Sequence, residues 1–418
     1  MSESFIRASG CFTAADILIP SEKDLPRWAV IACDQFTSQP EYWDQVRQIT
    51  DGVLSAYHLI LPECDLSADV KERIREIHHN MLRCLQDNLL RKFDNCFLYT
   101  ERSLQSGQTR CGLIGKVDLE QYDYSGQIDS EVRATEKTIP ERIPPRMGIR
   151  RGAALELPHI LLLCDDDRQQ LIEPLRKKKN DLPRVYDFDL MLNGGHVAGW
   201  LIQGEEKGML EQRIAAYEQY EQEKHKAAKL LYAVGDGNHS LATAKACYEE
   251  LKERLPEEEY LTHPARYALC ELNNIHDPCQ FFEPIHRIVK KCNAGKLIQD
   301  LSDQFSSAGG AEIPWMSGSS RGVLHISDHS GQLPLSQLQE ALESWVGSNG
   351  GELDYIHGEE NLMELTAEPD TAGFLLPTVD KDSLFPGILS GGVLPRKTFS
   401  MGEAEEKRYY LEARRIIP

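Results

Sequence analysis

The sequence predicts a mixed α/β fold, and three features of its 418 residues carry that prediction. Strand-like and helix-like segments alternate along the chain. Several strands adjoin hairpin turns rather than helices, which implies a mixed sheet and not a clean doubly wound one. No internal repeat or low-complexity tract breaks the pattern. A chain of this length is expected to form two domains or one large one. A second set of elements begins after about residue 290, so the expected division is 1–290 and 291–418.

The elements follow in order. Ala29–Ala32 is a short apolar run that ends at Cys33-Asp34. Val70, Ile74, Ile77, Met81, Leu85 and Leu89 recur at helical spacing, which predicts a long amphipathic helix over Ala68–Leu90. Cys96–Tyr99, Cys111–Val117 and Ile160–Leu163 read as strands, the last followed by a polar helix through Lys179. Val185–Leu192 and Val197–Ile202 flank Asn193-Gly194-Gly195, a hairpin signal. A charged helix is expected over Glu205–Lys229, then a glycine turn, then a strand at Arg266–Leu272. The second set comprises a helix from Ala294, a strand at Gly322–Ile326, a helix at Leu335–Trp345, and strands at Leu353–His357 and Gly373–Leu376.

Composition excludes several classes. The formal net charge is −20, so long-range repulsion opposes a bulk partner such as nucleic acid or an anionic membrane. A small anion needs only a few nearby cations and is not excluded. No apolar run approaches the roughly 18 residues that span a bilayer, and the first residues lack a secretory pattern. The eleven cysteines are scattered and never spaced Cys-x-x-Cys, which predicts reduced thiols, a cytoplasmic protein and no structural zinc. Cys33, Cys164 and Cys270 sit in apolar runs and are expected in the core.

The most informative stretch is Leu230–Lys245, which reads as a strand, a turn with two glycines, and a helix starting at Asn238 or His239. Gly235 and Gly237 allow positive φ and a close approach of backbone to a ligand. The first amides of the helix would point at that ligand, with the positive end of the helix dipole behind them. Asp236, His239 and Ser240 add a carboxylate, an imidazole and a hydroxyl. The alternative is a plain strand-to-helix turn capped by Asn238. The turn lacks the lysine and the spacing of a Walker loop.

A basic segment runs from Arg133 to Arg151, where six of nineteen residues are Arg or Lys. Three prolines argue against a long helix there and suggest a stiffened loop. Arginine forks match phosphate oxygens, although a solvated surface loop has the same composition. Asp34 ends a strand, a usual place for a catalytic carboxylate, or it caps the helix that begins near Pro40. Glu136 and Glu156 are further carboxylates for proton removal or metal binding. Mg²⁺ needs only one or two carboxylates plus substrate phosphates, so no cage motif is expected. His159, His276 and His286 show no partner in the sequence.

Several segments, in order, resemble the bacterial and archaeal "domain of unknown function 1015" family. Asp236-Gly237-Asn238-His239-Ser240-Leu241-Ala242-Thr243-Ala244 is similar to that family's Asp-Gly-His-His-Arg-Tyr-Glu-Thr-Ala signature. Arg133-Ala-Thr-Glu136 with Arg142, Asp354–His357, Gly373–Pro377 and Leu394–Thr398 resemble its other segments. The turn is also similar to that of the partition-protein-B and sulfiredoxin-like nucleotide-binding fold, which includes free serine kinases. The resemblance implies phosphoryl transfer involving serine or phosphoserine. It departs at Ser240 and Ala242, where the signature has Arg and Glu, so Arg133, Arg142, Arg146 or Lys397 would have to supply the missing cation.

The resulting expectation is a phosphotransferase. ATP or ADP (or pyrophosphate), with Mg²⁺, lies on Gly235, Asp236, Gly237, Asn238, His239 and Ser240. Arg133, Arg142 and Lys397 neutralise the transferred charge. Asp34 or Glu136 takes the proton of a serine hydroxyl, with His239 in the same turn. Residues 1–290 would form the phosphate- and nucleotide-binding core, to which the region 291–418 contributes. The alternatives are a phosphoserine phosphatase and a non-enzymatic, nucleotide-sensing regulator.

Overall fold

A computed structural model describes residues 10–66, 70–125, 130–136, 138–225, 229–305, 310–327, 333–378, 380–391, 393–395 and 397–418. The chain divides into two compact units. One comprises Met1–Ala134, Thr138–Gln280 and Glu403–Pro418, the other Thr135–Lys137 and Phe281–Gly402.

Among the described residues the first unit is built on an 11-stranded sheet. Its strands are β1 (Phe12–Thr13), β2 (Ala15–Pro20), β3 (Leu90–Ser103), β4 (Thr109–Asp118), β5 (Tyr122–Asp123), β6 (Val132–Ala134), β7 (Ile160–Cys164), β8 (Arg184–Asp189), β9 (His196–Ile202), β10 (Tyr232–Asp236) and β11 (Tyr267–Asn274). They lie side by side in the order β8-β9-β3-β4-β11-β7-β10-β6-β5, with β1 against β4 and β2 against β3. Hairpins such as β8–β9 make antiparallel pairs, while β11 with β7 and β10 with β6 are parallel. The mixed α/β class and the mixed sheet expected from the sequence are both present.

Period-two alternation shows that both faces of this sheet are buried. Phe97 and Tyr99 of β3, Leu113 of β4 and Cys270 and Leu272 of β11 belong to one apolar cluster. Cys96, Leu98, Ile114 and Leu269 belong to the other. The helices of this unit include α1 (Pro40–Ile49), α2 (Val70–Gln86), α3 (Ile143–Arg150), α4 (Gly204–Lys224) and α5 (Asn238–Lys252). The second cluster receives Trp43 of α1 and Ile77 and Met81 of α2. The first receives Leu210, Ile214 and Tyr217 of α4 and Leu241, Ala244 and Tyr248 of α5. Helix α2 begins by Val70 but ends at Gln86, short of the expected Leu90, which instead opens β3; Ala68 and Asp69 lie outside the described residues, as do residues 226–228 beyond α4.

Among the described residues the second unit has a 6-stranded sheet. Its strands are β12 (Phe282–Lys290), β13 (Ala311–Ser317), β14 (Ser320–Ile326), β15 (Glu352–His357), β16 (Ala372–Phe374) and β17 (Phe399–Met401), with helices α6 (Ala294–Gln304) and α7 (Pro334–Asn349). Leu297, Leu301, Leu338 and Leu342 pack with Val289, Ile313, Leu324 and Phe374 as its core.

Residues 403–418 return to the first unit because they pair with it. Tyr409–Tyr410 runs antiparallel to Val30–Ile31, and Arg414–Arg415 to Leu155–Glu156.

Three expectations are corrected. The proline-stiffened loop is instead a 3₁₀ turn, Pro140–Arg142, followed by α3. Pro144 and Pro145 occupy its first turn, where a missing N–H breaks no helical bond. Asp34 does not cap α1, whose N-cap is Gln39. Cys33 is half-buried and polar-bonded rather than a core residue, unlike the buried Cys164 and Cys270. All eleven cysteines are free thiols. Among the described residues no helix is long and apolar enough to cross a membrane.

Candidate functional site

The turn after β10 is built by one glycine. Gly237 has φ +80 and is the left-handed N-cap of α5, with no side-chain cap. A Cβ there would stand 3.0 Å from Ile160 Cα and 3.3 Å from the His159 carbonyl oxygen. The turn therefore packs against the start of β7, and only glycine allows that approach. Gly235 plays a different part from the one expected: it lies inside β10, at a shift of register against β7. The helical ladder of α5 opens with Leu241 N–H donating to the Gly237 carbonyl at 3.0 Å. The amides of Asn238, His239 and Ser240 precede that bond, at the positive end of the helix.

Asp236 is fixed on both oxygens. Oδ1 accepts the Gly237 N–H at 2.8 Å, and Oδ2 lies 3.3 Å from Lys407 Nζ. His239 is also engaged, since its Nε2 accepts the Ile139 N–H at 3.3 Å. That bond places the ring proton on Nδ1. The nitrogen suited to taking a substrate proton thus already holds the segment leading into the Pro140–Arg142 turn.

The structure adds His159 to this site. Its ring is buried, 7% exposed, and Ser240 Oγ lies 3.4 Å from Nδ1. The Tyr410 hydroxyl lies 2.8 Å from the same nitrogen, and Asp34 Oδ1 lies 3.4 Å from Nε2. Tyr410 oxygen also accepts the Cys33 N–H at 3.3 Å, and its hydroxyl donates to Cys33 Sγ at 3.2 Å. Burial would raise the Asp34 carboxyl, but the His159 charge, hydrogen bonds from His159 and Gln35, and Lys407 hold it well below the usual carboxylate range. Burial opposes a charge on His159 as well. Asp34 overcomes that and, with Cys33, raises the imidazole well above its ordinary value. The pair is therefore an imidazolium and a carboxylate at neutral pH.

A cavity of about 160 Å³ opens beside the pair, lined by Cys33, Arg146, His159, Ser240, Thr243 and Tyr410 among others. A cleft of about 550 Å³, lined by Lys92, Lys116, Tyr267 and Arg415 among others, shares no residue with it.

Of the other sequence candidates in this unit, Arg146 and Glu156 also line the cavity beside His159, whereas Arg133 lies elsewhere. Arg133 is 4% exposed in β6, where Nε and Nη2 donate to the carbonyls of Ser130 and Lys229. Lys229 precedes β10, so this guanidinium sits at the opposite end of that strand from Gly237. The side chain of Arg142 lies outside the described residues, as does Arg396. Arg146 pairs with Glu63. Glu156 is bound at 2.7 Å by Arg414 and at 2.6 Å by Arg150. Burial would raise its carboxyl, but these two arginines hold it below the usual range. It is a structural anion rather than a metal ligand or base. Glu136 and Lys397 belong to the second unit. There Glu136 Oε1 accepts the Thr398 N–H at 3.0 Å, and the exposed Lys397 amine stands 5.3 Å from the Tyr355 ring centroid.

His159, Tyr410, Lys407 and Cys33 were missed as site residues. His159 has one usable signal, since Leu157-Pro158-His159 immediately precedes a buried strand. Nothing in the sequence marks its partners.

The chain belongs to the family described as "Protein of unknown function (DUF1015)", which matches residues 15–414. No curated protein matches its sequence. Among solved structures it is similar to a free serine kinase in complex with AMP, with 10% identity over 71% of this chain and 90% of that one and a TM-score of 0.38. It is also similar to SbnI with C-terminal truncation from Staphylococcus aureus, at 9% identity over 69% and 82% of the two chains, TM-score 0.37. A conserved hypothetical protein from Pyrococcus furiosus shares 11% identity over 71% and 90%, TM-score 0.33. At such distances these likenesses say nothing of what this chain binds or does.

Proposed function

We propose that this protein is a small-molecule phosphotransferase, moving a phosphoryl group between a nucleotide (or pyrophosphate) and serine on a partition-protein-B/sulfiredoxin-like core. One observation carries the reading: Gly237 sets the first amides of α5 beside a buried imidazolium, His159, within reach of Ser240. Helix amides and a fixed cation are what a transferred phosphoryl group requires, because its charge spreads over three oxygens while little covalent work is left to the protein. The cation lost with the signature's arginine at 240 is supplied here by His159. Lys407, 3.3 Å from Asp236, adds a second positive charge at the turn.

Asp34 is the carboxylate of this site. Its side chain keeps 32% exposure, so a substrate hydroxyl can reach it. A carboxylate of low basicity serves in a loose transition state, where it orients the hydroxyl rather than stripping it early. The cavity of about 160 Å³ admits a small acceptor such as serine. A whole nucleotide needs more, since pockets for larger ligands run to about 300–1,000 Å³. Asp236 is held by the Gly237 amide and Lys407 at the turn, and Mg²⁺ would arrive on the donor's phosphates.

The test follows phosphoserine in both directions with purified protein, Mg²⁺, serine, and ATP, ADP or pyrophosphate in turn. Turnover is expected with one donor, and His159→Gln should lower kcat by about 10²-fold or more, as loss of a preorganised charge does. Turnover unchanged in His159→Gln overturns the assignment. Nucleotide binding without turnover in either direction would replace the enzyme by a nucleotide-sensing regulator.

A further inference from the structure

The apolar stripe of α4 runs Leu210, Ile214, Tyr217 and then Glu221. Its fourth member is a carboxylate with no exposed surface. Glu221 Oε2 has no hydrogen-bond partner, and neither has His225 Nε2, which faces it at 3.4 Å. Asp165, at the C-terminal end of β7 and 7% exposed, completes the group. One ligand atom from each of the three residues lies within 4.8 Å of the others.

We propose that Asp165, Glu221 and His225 bind a divalent transition-metal ion, Zn²⁺ first among them. Two carboxylates and an imidazole suit Zn²⁺, whose bonds to such ligands are about 2.0–2.2 Å. Glu221 lies in the last turn of α4 and His225 is its C-cap, so the two side chains meet at the end of the helix. His276 Nε2 lies 2.7 Å from Asp165 Oδ1 and fixes that carboxylate from behind, as outer partners of metal ligands do.

Lys224 is the present counter-charge, 2.8 Å from Asp165 Oδ2 and 3.4 Å from Glu221 Oε1. It satisfies those two oxygens but leaves Oε2 and the imidazole nitrogen bare, a costly arrangement for buried polar atoms. A metal ion would engage both and displace the amine, whose side chain is 29% exposed. Three protein ligands leave a fourth position for water. The group lies at the far end of β7 from Ile160, about 16 Å from the Gly237 turn at ~3.3 Å per residue. It is therefore independent of the phosphotransfer reading and would tie the end of α4 to the sheet.

The experiment strips the full chain with a chelator and titrates it with Zn²⁺ and with Co²⁺. One equivalent should bind, and the Co²⁺ form should show d–d bands without thiolate charge transfer, which separates this site from the cysteines. Glu221→Gln and His225→Ala should each weaken binding at least tenfold. Lys224→Met should melt lower than wild type without metal and recover on adding Zn²⁺, since the competing cation is gone. Absence of metal binding in both wild type and Lys224→Met overturns the proposal. So does binding that Glu221→Gln and His225→Ala leave unchanged, or a cobalt spectrum dominated by thiolate.

Discussion

Replacing Gly237 by alanine tests the turn on which the site stands. The residue sits at φ +80 and ψ 26, where a Cβ costs roughly 1–2 kcal/mol. The new methyl would also stand 3.0 Å from Ile160 Cα and 3.3 Å from the His159 carbonyl oxygen. Those are backbone atoms at the start of a buried strand and cannot move aside cheaply, so overpacking adds about 1–2 kcal/mol. The sum is about 2–4 kcal/mol, which in a unit of this size lowers Tm by about 4–8 °C. Calorimetric melting reads that shift. Gly237→Asn should fall between the two, because asparagine tolerates the left-handed region but brings the same Cβ. Gly208→Ala, in the interior of α4 with no atom within 4 Å of a new Cβ, should go the other way, by roughly +0.5 to +1 kcal/mol. The second readout is the thermal shift on adding nucleotide or pyrophosphate, which Gly237→Ala should reduce because the first turn of α5 moves off His159. A Gly237→Ala protein that melts with wild type, or rises with Gly208→Ala, would refute the reasoning.

Asp34→Asn should destabilise most near pH 5–6. The Asp34 share of the pair is present above about pH 4 and fades as pH falls through its depressed value; the His159 share is present below about pH 6.5 and fades as pH rises through its raised value. Melting from pH 4 to 9 should therefore show the mutant's deficit narrowing at the alkaline end, and a constant deficit would contradict the ion pair. Glu218 is pushed up to about 7, chiefly by burial, despite hydrogen bonds from Tyr232 and the backbone. Its contribution is complete below about pH 4.5 and is lost as pH rises through 7, so Glu218→Gln should gain on wild type at pH 8, by at most about 3 kcal/mol. Chemical denaturation at pH 5 and pH 8 checks the sign. Lys407→Met leaves Asp236 facing an apolar chain at the turn; it should cost about 1–3 kcal/mol and weaken the response to phosphate ligands, both measured by thermal shift.

The alternation of elements was legible because it is written in local periodicity. Continuous burial marks Ile160–Cys164, and Asn193-Gly194-Gly195 between two apolar runs marks the β8–β9 hairpin. The Gly237 turn was legible for the same reason, since strand, glycine and helix start are contiguous. The partners of His159 were not, because Asp34, Ser240 and Tyr410 come from three separate segments. Tyr410 and Lys407 reach the site only because short strands near the C-terminus pair with Val30–Ile31 and Leu155–Glu156. Strands of two residues carry no period to read. The Arg133–Arg151 segment misled in the opposite sense. Its cations are largely neutralised by the chain's own groups: Arg146 by Glu63, Arg150 by Glu156, Arg151 by Glu250, and Arg133 in part by carbonyls. A cluster of like charge in sequence was thus a set of separate partners in space, two of them buried or nearly so.

Ser240 and His159 are best understood together. An arginine at 240, as in the related signature, would bring a second cation toward an imidazolium that Asp34 keeps charged, since the Ser240 Oγ it would replace lies 3.4 Å from His159 Nδ1. Serine avoids that approach and leaves the cavity of about 160 Å³ open beside the helix. The positive charge is not lost; it shifts from α5 to the residue before β7, which Gly237 holds against the turn. A charge held on a buried ring bonded to the Tyr410 hydroxyl and paired with Asp34 is better preorganised than one on a long, flexible side chain. On this reading the departure from the signature marks a relocated cation rather than a vestigial site, and the pH dependence of Asp34→Asn is where that difference becomes measurable.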